Sequence, residues 1–598
     1  METHYRNLTA DEVAQLERHG NWAADWQKVL VAVPFCIDCL RGNTFDGEVR
    51  LGTLEVGIVH DGDLTQREGI YNSTLCNCTL GDHATVHNVK MLSDYRIGDN
   101  AILFNIEEMT CTTDPKMVDW LEPMNENGGR SVLPFGGMTV GDAYMWARYR
   151  GRHEFVKRLE QFTYDTLQTE DGCYGRIGDC CTIKNTKTVH NVIVNSSAND
   201  KTRIDGCIAL SDGVVGYGCT LEYGCIAVRF LLGEHVHLEF GIRLNDTVVG
   251  DNSTLARGEV GCSIIFPAHE QHHNNSFLIA ALVMGQSNVA AGATIGSNHN
   301  SRTADGELCA GRGFWPGLCS SFKHSSRFAS YCLLAKGDYP AEMDIPLPFA
   351  LVSNNTALDR LEVMPAYWWM YNMYAMDRNS RKFAARDKRV TCAQHIEFSP
   401  LAPDTAEEIL HAMTLLRSWM TAAEGGTVYA EGLEKGKRQT VVLKAAEGMR
   451  AYEDMLLHYA MSRLVTAYGG ALPPQQATAC RHWVNIGGQL VTQTDMEQLI
   501  SDTQSGVIGS WHELHQRMDT LWQCYPSQVC AHAYMTLCSL IGAESIDEPL
   551  WQTLTARHHE ILADIERRRT DSRRKDDTNT FRRMTCWDDA EYDAVFKN

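Results

Sequence analysis

Leu80-Gly81-Asp82-His83-Ala84-Thr85-Val86-His87-Asn88-Val89-Lys90-Met91-Leu92-Ser93-Asp94 leads, two residues on, into Ile97-Gly98-Asp99-Asn100-Ala101-Ile102-Leu103. An aliphatic residue returns every six positions with one step of five, and Leu80-Gly81-Asp82 comes back as Ile97-Gly98-Asp99 after 17 residues. The pattern fades near Asn105 and resumes after Gly172 with Ile177-Gly178-Asp179 and with Val189-His190-Asn191-Val192, an echo of Val86-His87-Asn88-Val89. Farther on, Ile204, Leu221, Leu238 and Leu255 form a ladder of constant step. A second, weaker ladder runs Leu210, Ala227, Leu244, Gly261, where Val260 could fill the last rung by a one-residue slip. Leu278 and Ile295 repeat the step of 17 once more.

A fixed step of this length is the mark of a solenoid. Three sides of about six residues with one short corner give 17 per coil, and the aliphatic residue of each side stacks on its counterpart in the next coil. Gly, Asn and Asp beside it allow the positive φ that tight corners demand.

Outside the repeat the pattern turns helical. Asn105–Asp171 is expected to project as an insertion, with one or two amphipathic helices between Val140 and Leu167. Thr9-Ala10-Asp11-Glu12 reads as a capping box for a short N-terminal helix. After about Asn355 the repeats vanish; Asp404-Thr405-Ala406-Glu407 reads as the start of one helix, and Ala445–Tyr468 and Trp551–Arg569 as two more. The division is therefore an arm at 1–44, a solenoid at 45–354 interrupted at 105–172, and an α-helical region at 355–598, mainly β with α.

Composition narrows the partners. In 598 residues, 54 Lys and Arg stand against 75 Asp and Glu, a net charge of −21 that repels phosphate backbones and argues against nucleic acid. No apolar run is long enough to span a membrane and the N-terminus has no signal pattern, so a cytoplasmic protein is expected. The 21 Cys follow no framework spacing and read as reduced, small apolar residues.

Candidate chemistry concentrates in 269–338. His269-Glu270-x-x-His273 has zincin spacing, but it follows a solenoid coil and Pro267, and Asn274-Asn275 are poor helix formers, so a metal stays open. His299, flanked by Asn298 and Asn300, is placed to be a coil-corner general base, with His272 as the other candidate. His273, Asn274, Asn275, Asn298, Asn300, Arg302 and His324 are the expected polar contacts to substrate. Arg312 and Lys323 are the expected anion clamps and Trp315 a platform for a sugar or base. The segment holds two Lys and three Arg against two Glu and two Asp, a small reversal in an acidic chain. Phosphate-loop and dinucleotide fingerprints are absent, as is the Gly-rich loop with which sugar nucleotidyltransferases cradle a nucleotide.

Arg6–Glu12, His269–Asn275, Gly285–Arg302, Gly311–Gly317, Ala335–Pro340 and the aromatic run Tyr367–Tyr374 together resemble a family of uncharacterised large bacterial hexapeptide-repeat proteins, often labelled glucose-1-phosphate uridylyltransferase. The resemblance covers nearly the whole chain. It implies a left-handed parallel β-helix related to the trimeric transferases, acting on a sugar phosphate or nucleotide sugar with acetyl-CoA or a nucleotide as co-reactant, and a homo-oligomer. Acyl transfer fits the residues better than nucleotidyl transfer because the nucleotide loop is missing. The contrasting expectation is a non-catalytic scaffold that binds a partner. Catalysis requires His272, His299, Arg312 and Lys323 to line one cleft, whereas a scaffold allows them separate faces.

Overall fold

The computed structural model describes residues 4–112, 114–169, 172–423, 426–475 and 481–596. Its centre is a parallel β-solenoid. Ile204 pairs with Leu221, Leu221 with Leu238 and Leu238 with Leu255, and all four are fully buried. In the second ladder Leu210 pairs with Ala227 and Ala227 with Leu244, but the next rung is Val260 rather than Gly261, because that coil is one residue shorter. Small residues beside this ladder are matched by large ones in the neighbouring coil. Gly213 lies one coil before Phe230, and a Cβ on it would sit 2.5 Å from the Phe230 ring, so the missing side chain makes room for a large one.

Three corners per coil give a triangular section, and each corner is a column of positive-φ residues. Corner I runs through Asn185, Gly206, Tyr223, Phe240, Arg257 and Asn275. Corner II runs through Asn191, Asp212, Arg229, Asp246, Cys262 and Ala280, and corner III through Gly218, His235, Asn252, Ala268 and Gln286. Asn and Asp tolerate this backbone and also bond along the column: Asn105 Nδ2 donates to Asn185 Oδ1 at 2.9 Å, and Asn191 Nδ2 to Asp212 Oδ1 at 2.8 Å. Asn105→Ala is expected to lower stability by about 1–2 kcal/mol, through both backbone strain and the lost bond. Asn105→Gly should recover the strain component; equal urea midpoints for the two variants would refute the strain argument.

The solenoid extends beyond the expected limits. Trp22–Ala23 pairs with Thr44–Asp46, so coils begin inside the N-terminal arm, after the helix α1 (Ala10–Arg18) with its Thr9–Glu12 capping box. The strand Ile102–Thr110 continues past Asn105, and Arg176–Ile177 resumes the stack, so the excursion starts after Thr110. That excursion carries α2 (Val140–Arg148) and α3 (His153–Leu167). Rather than being amphipathic, α2 is buried on nearly every side, because it sits between the solenoid and the C-terminal region. Ile193, Val214, Leu231, Val248, Ile264 and Leu282 stack outward on the third side and form a second core with Tyr144, Trp146, Phe155 and Trp511.

The C-terminal region is not purely helical. The hairpin Leu351–Asn355 and Arg360–Met364 ends the stack and is joined in parallel by Gln439–Val442, which covers a sheet edge that would otherwise be open. The described helices are α4 (Tyr367–Tyr371), α5 (Met373–Arg386), α6 (Pro403–Thr421), α7 (Ala445–Tyr468), α8 (Gln493–Ser505), α9 (Trp511–Ile541), α10 (Glu548–Asp577), α11 (Thr580–Arg583) and α12 (Asp589–Phe596). Among the described residues no helix is long and apolar enough to cross a membrane.

Charge fastens this region along corner III. Arg389 donates to Asp251 at 2.6 Å, and the Glu234 carboxylate accepts the amides of Cys392 and Ala393. Glu270 pairs with Lys382 and Arg386, and Gln286 donates to the Glu397 carbonyl at 2.7 Å. The helix expected to start at Asp404 starts at Pro403, and Asp404 faces inward to Arg312. Trp368 and Trp369 of the aromatic run are buried, with Trp368 5.6 Å from Trp315.

Candidate functional site

The residues expected to form a site in 269–338 lie at all three corners. His272, His273 and Asn274 lead into corner I, where Asn275 takes φ +61°. His273, Asn274 and Asn275 are exposed, and burial lowers the pKa of half-buried His272. His269 is fully buried inside the coil, bonded to Ser287 Oγ at 2.8 Å and Gln271 Oε1 at 3.2 Å, while His273 points to solvent. The zincin spacing is thereby undone: the segment is a strand, Glu270 is paired with cations, and no cluster among the described residues could hold a metal.

Asn298, His299, Asn300 and Arg302 belong to an extra loop at corner II that fastens the insertion. Asn298 is fully buried; its amide donates to Glu126 Oε2 at 2.8 Å and its Oδ1 accepts the Glu126 amide at 3.3 Å. Asn300 closes a turn by accepting the amides of Arg302 and Thr303. His299 is exposed, with Nε2 3.9 Å from Glu126. At the same corner Lys323 pairs with Glu342 at 2.9 Å, and buried His324 donates from Nε2 to the Ile279 carbonyl at 2.7 Å.

Arg312 and Trp315 lie at corner III. Arg312 is 2% exposed, holds Asp404 through two 2.8 Å bonds and donates to the Ser399 carbonyl at 2.8 Å. Its charge is spent on α6. The cationic excess read in 269–338 is cancelled by carboxylates from elsewhere: Asp404 for Arg312, Glu342 for Lys323 and Asp344 for Arg327. The four proposed catalytic and clamping residues do not share a cleft.

A cleft of about 680 Å³ opens instead in the helical region, where 396–401, α7 and α9 meet. Glu397 anchors it. Its carboxylate accepts the Ser399 amide at 2.7 Å and the Tyr525 hydroxyl at 2.6 Å, and Arg463 approaches at 3.5 Å. Because Gln286 holds the Glu397 carbonyl and Arg312 holds that of Ser399, solenoid corner III sets the position of this wall. Trp522 and Tyr525 stack at 4.9 Å with 7° between their planes, and Pro526, which denies the Trp522 carbonyl its helical amide partner, lines the same wall. Among the described residues Arg463 makes only long bonds, to Glu397 and to the Leu401 carbonyl at 3.3 Å, and a third of its side chain is exposed. At one end His458 faces His558 at 3.1 Å, with Ser462 Oγ 3.3 Å from each. Burial pushes the His458 imidazole down to about 4, so it is neutral near pH 7 and a weak base.

None of these residues stood out in sequence. They come from four separated segments, 396–401, α7, α9 and α10, and the one local signal was a proline inside a long helical run.

Two comparisons bear on kinship. A protein of Treponema pallidum (strain Nichols), named only as an uncharacterized protein, is 40% identical over 660 residues, covering 99% of this chain and 90% of its own length. Neither that name nor the matching family description speaks of hexapeptide repeats or uridylyl transfer, so the expected link to glucose-1-phosphate uridylyltransferases is not carried by kinship. The family model described as "Domain of unknown function (DUF4954)" matches residues 5–420, and with most of its length inside that match the chain belongs to this family.

Proposed function

We propose that the protein binds a small anionic ligand carrying a flat or sugar ring, of the sugar-phosphate or nucleotide-sugar class, in the helical cleft, with the solenoid as the rigid frame that holds it. The observation that carries this reading is the incompletely bonded Arg463 beside the stacked Trp522–Tyr525 pair in a cleft of about 680 Å³. An aromatic wall takes a ring and a guanidinium takes a phosphate. Calorimetry against a panel of sugar phosphates and nucleotide sugars tests it. Arg463→Ala should weaken a phosphorylated ligand by about tenfold or more and leave its unphosphorylated counterpart unchanged. Binding by no member of the panel, or equal losses for both forms, would sink the reading.

Group transfer at the coil edge is the second reading. It draws on exposed His299 with the Glu126 carboxylate 3.9 Å away, a base beside an orienting acid. Acetyl-CoA consumption dependent on a sugar-phosphate acceptor, and lost in His299→Ala, would favour it over binding alone. The left-handed winding goes with the same family of folds and is supported by the three columns of positive-φ corner residues. A reducing, cytoplasmic setting is supported by the free thiols of all described cysteines.

A further inference from the structure

Arg417 on α6 and Arg481, just before the strand Trp483–Ile486, meet in one concavity. Both are exposed, neither has an ion pair among the described residues, and both line a cleft of about 530 Å³ between α6 and α9. His411, His482 and His532 line it too. The one carboxylate among the described lining residues, Glu407, is already engaged: it accepts the amides of His482 at 2.6 Å and Trp483 at 3.2 Å and lies 3.7 Å from His532 Nε2. The floor is built rather than accidental. His532 is 3% exposed and fixed by a 2.8 Å bond between its Nδ1 and the hydroxyl of Tyr459, which itself lines the first cleft. The two clefts thus share a wall and differ in chemistry: the first is aromatic around a bonded Glu–Arg pair, the second has two free guanidinium groups and three imidazoles.

We infer that this second cleft is a separate site for a small multiply charged oxyanion of the phosphate or polyphosphate class. In a chain of net charge −21, two unpaired arginines facing one concavity create a local positive potential that a compact polyanion fits, with bidentate guanidinium contacts and imidazole donors around it. Long nucleic acid would meet the acidic remainder of the surface and be repelled, which confines the ligand to something that fits within the cleft.

Titration of the full chain with inorganic pyrophosphate at low ionic strength, followed by calorimetry, tests this. One site is expected. Arg417→Ala and Arg481→Ala should each weaken it by about tenfold, and Arg417→Lys by less, since a point charge replaces a fork. Both arginines are exposed and unpaired, so the variants should keep the wild-type melting temperature. Arg463→Ala, in the first cleft, should leave pyrophosphate affinity unchanged, and this separates the inference from the proposed function. Absence of binding overturns it, as does binding that survives both arginine-to-alanine changes or that is lost only in Arg463→Ala.

Discussion

Arg312→Leu is expected to lower the stability of the assembled chain by about 3–5 kcal/mol, the cost of leaving a buried charge without its partner. Arg312 is enclosed at corner III; burial pulls its pKa down, but the Asp404 carboxylate outweighs that and leaves it above the ordinary arginine value. Its removal leaves the Asp404 carboxylate in the α6–solenoid seam and frees the Ser399 carbonyl of its donor. Glu408, one turn along α6, is already raised to about 7 by burial and by Asp404, and loss of the Arg312 charge, which lowers it, pushes it higher still. Arg312→Leu/Asp404→Leu should recover most of the loss, because two apolar groups in place of a buried pair are tolerated far better than half a pair. The readout is the urea midpoint of the C-terminal region with protease sensitivity of 387–404. A single variant as stable as wild type, or a double variant no better than the single, would show that the pair does not fasten α6.

The same pair shows what sequence could and could not tell. The solenoid was legible because one physical rule, a buried rung at a nearly constant step, acts from coil to coil; Ile204, Leu221, Leu238 and Leu255 keep the step at 17. Gly261 misled because a one-residue shorter coil moves the rung to Val260, and side-chain periodicity alone does not reveal where a corner tightens. The second core was also readable in principle. Phe230-Leu231-Leu232 and Ser263-Ile264-Ile265 break the alternation of a half-exposed strand, as expected of a side buried on both faces.

The site resisted for a different reason. Arg312, Lys323 and the histidines were gathered by closeness in sequence, yet a solenoid sends neighbours six residues apart to different corners. The partners that decide their roles, Asp404, Glu342 and Glu126, lie 92, 19 and 173 positions away or so, and no local pattern announces them. Glu397, Arg463 and Tyr525 converge only after α7 and α9 pack against the wall set by Gln286.

Acid should load the two halves of the molecule with opposing titrations. His269 in the solenoid and His458 in the helical region are both held down to about 4, chiefly by burial, against about 6.5 when unfolded. Above pH 6.5 neither state is protonated and the two histidines leave stability unaffected. Below it the unfolded chain takes up protons that the folded chain refuses, so stability falls by about 2 kcal/mol per histidine between pH 6.5 and 5. Glu234 and Glu408 act in the opposite sense: their carboxyls are raised to about 7, mainly by burial, so their contribution is complete below the unfolded carboxyl range and is lost as pH rises through 7. The opposing slopes hide each other in the wild type over pH 5–6.5 and become visible when one set is removed. His458→Gln should make the helical region lose less stability on acidification than wild type, by about 2 kcal/mol at pH 5, while leaving the pH slope of the solenoid transition alone. His269→Gln should do the converse. Because each comparison is of slopes, the packing cost of the substitution itself drops out. A His458→Gln slope identical to wild type would mean that the His458–His558 contact opens to solvent, and the first cleft would then lose the neutral imidazole described at its end.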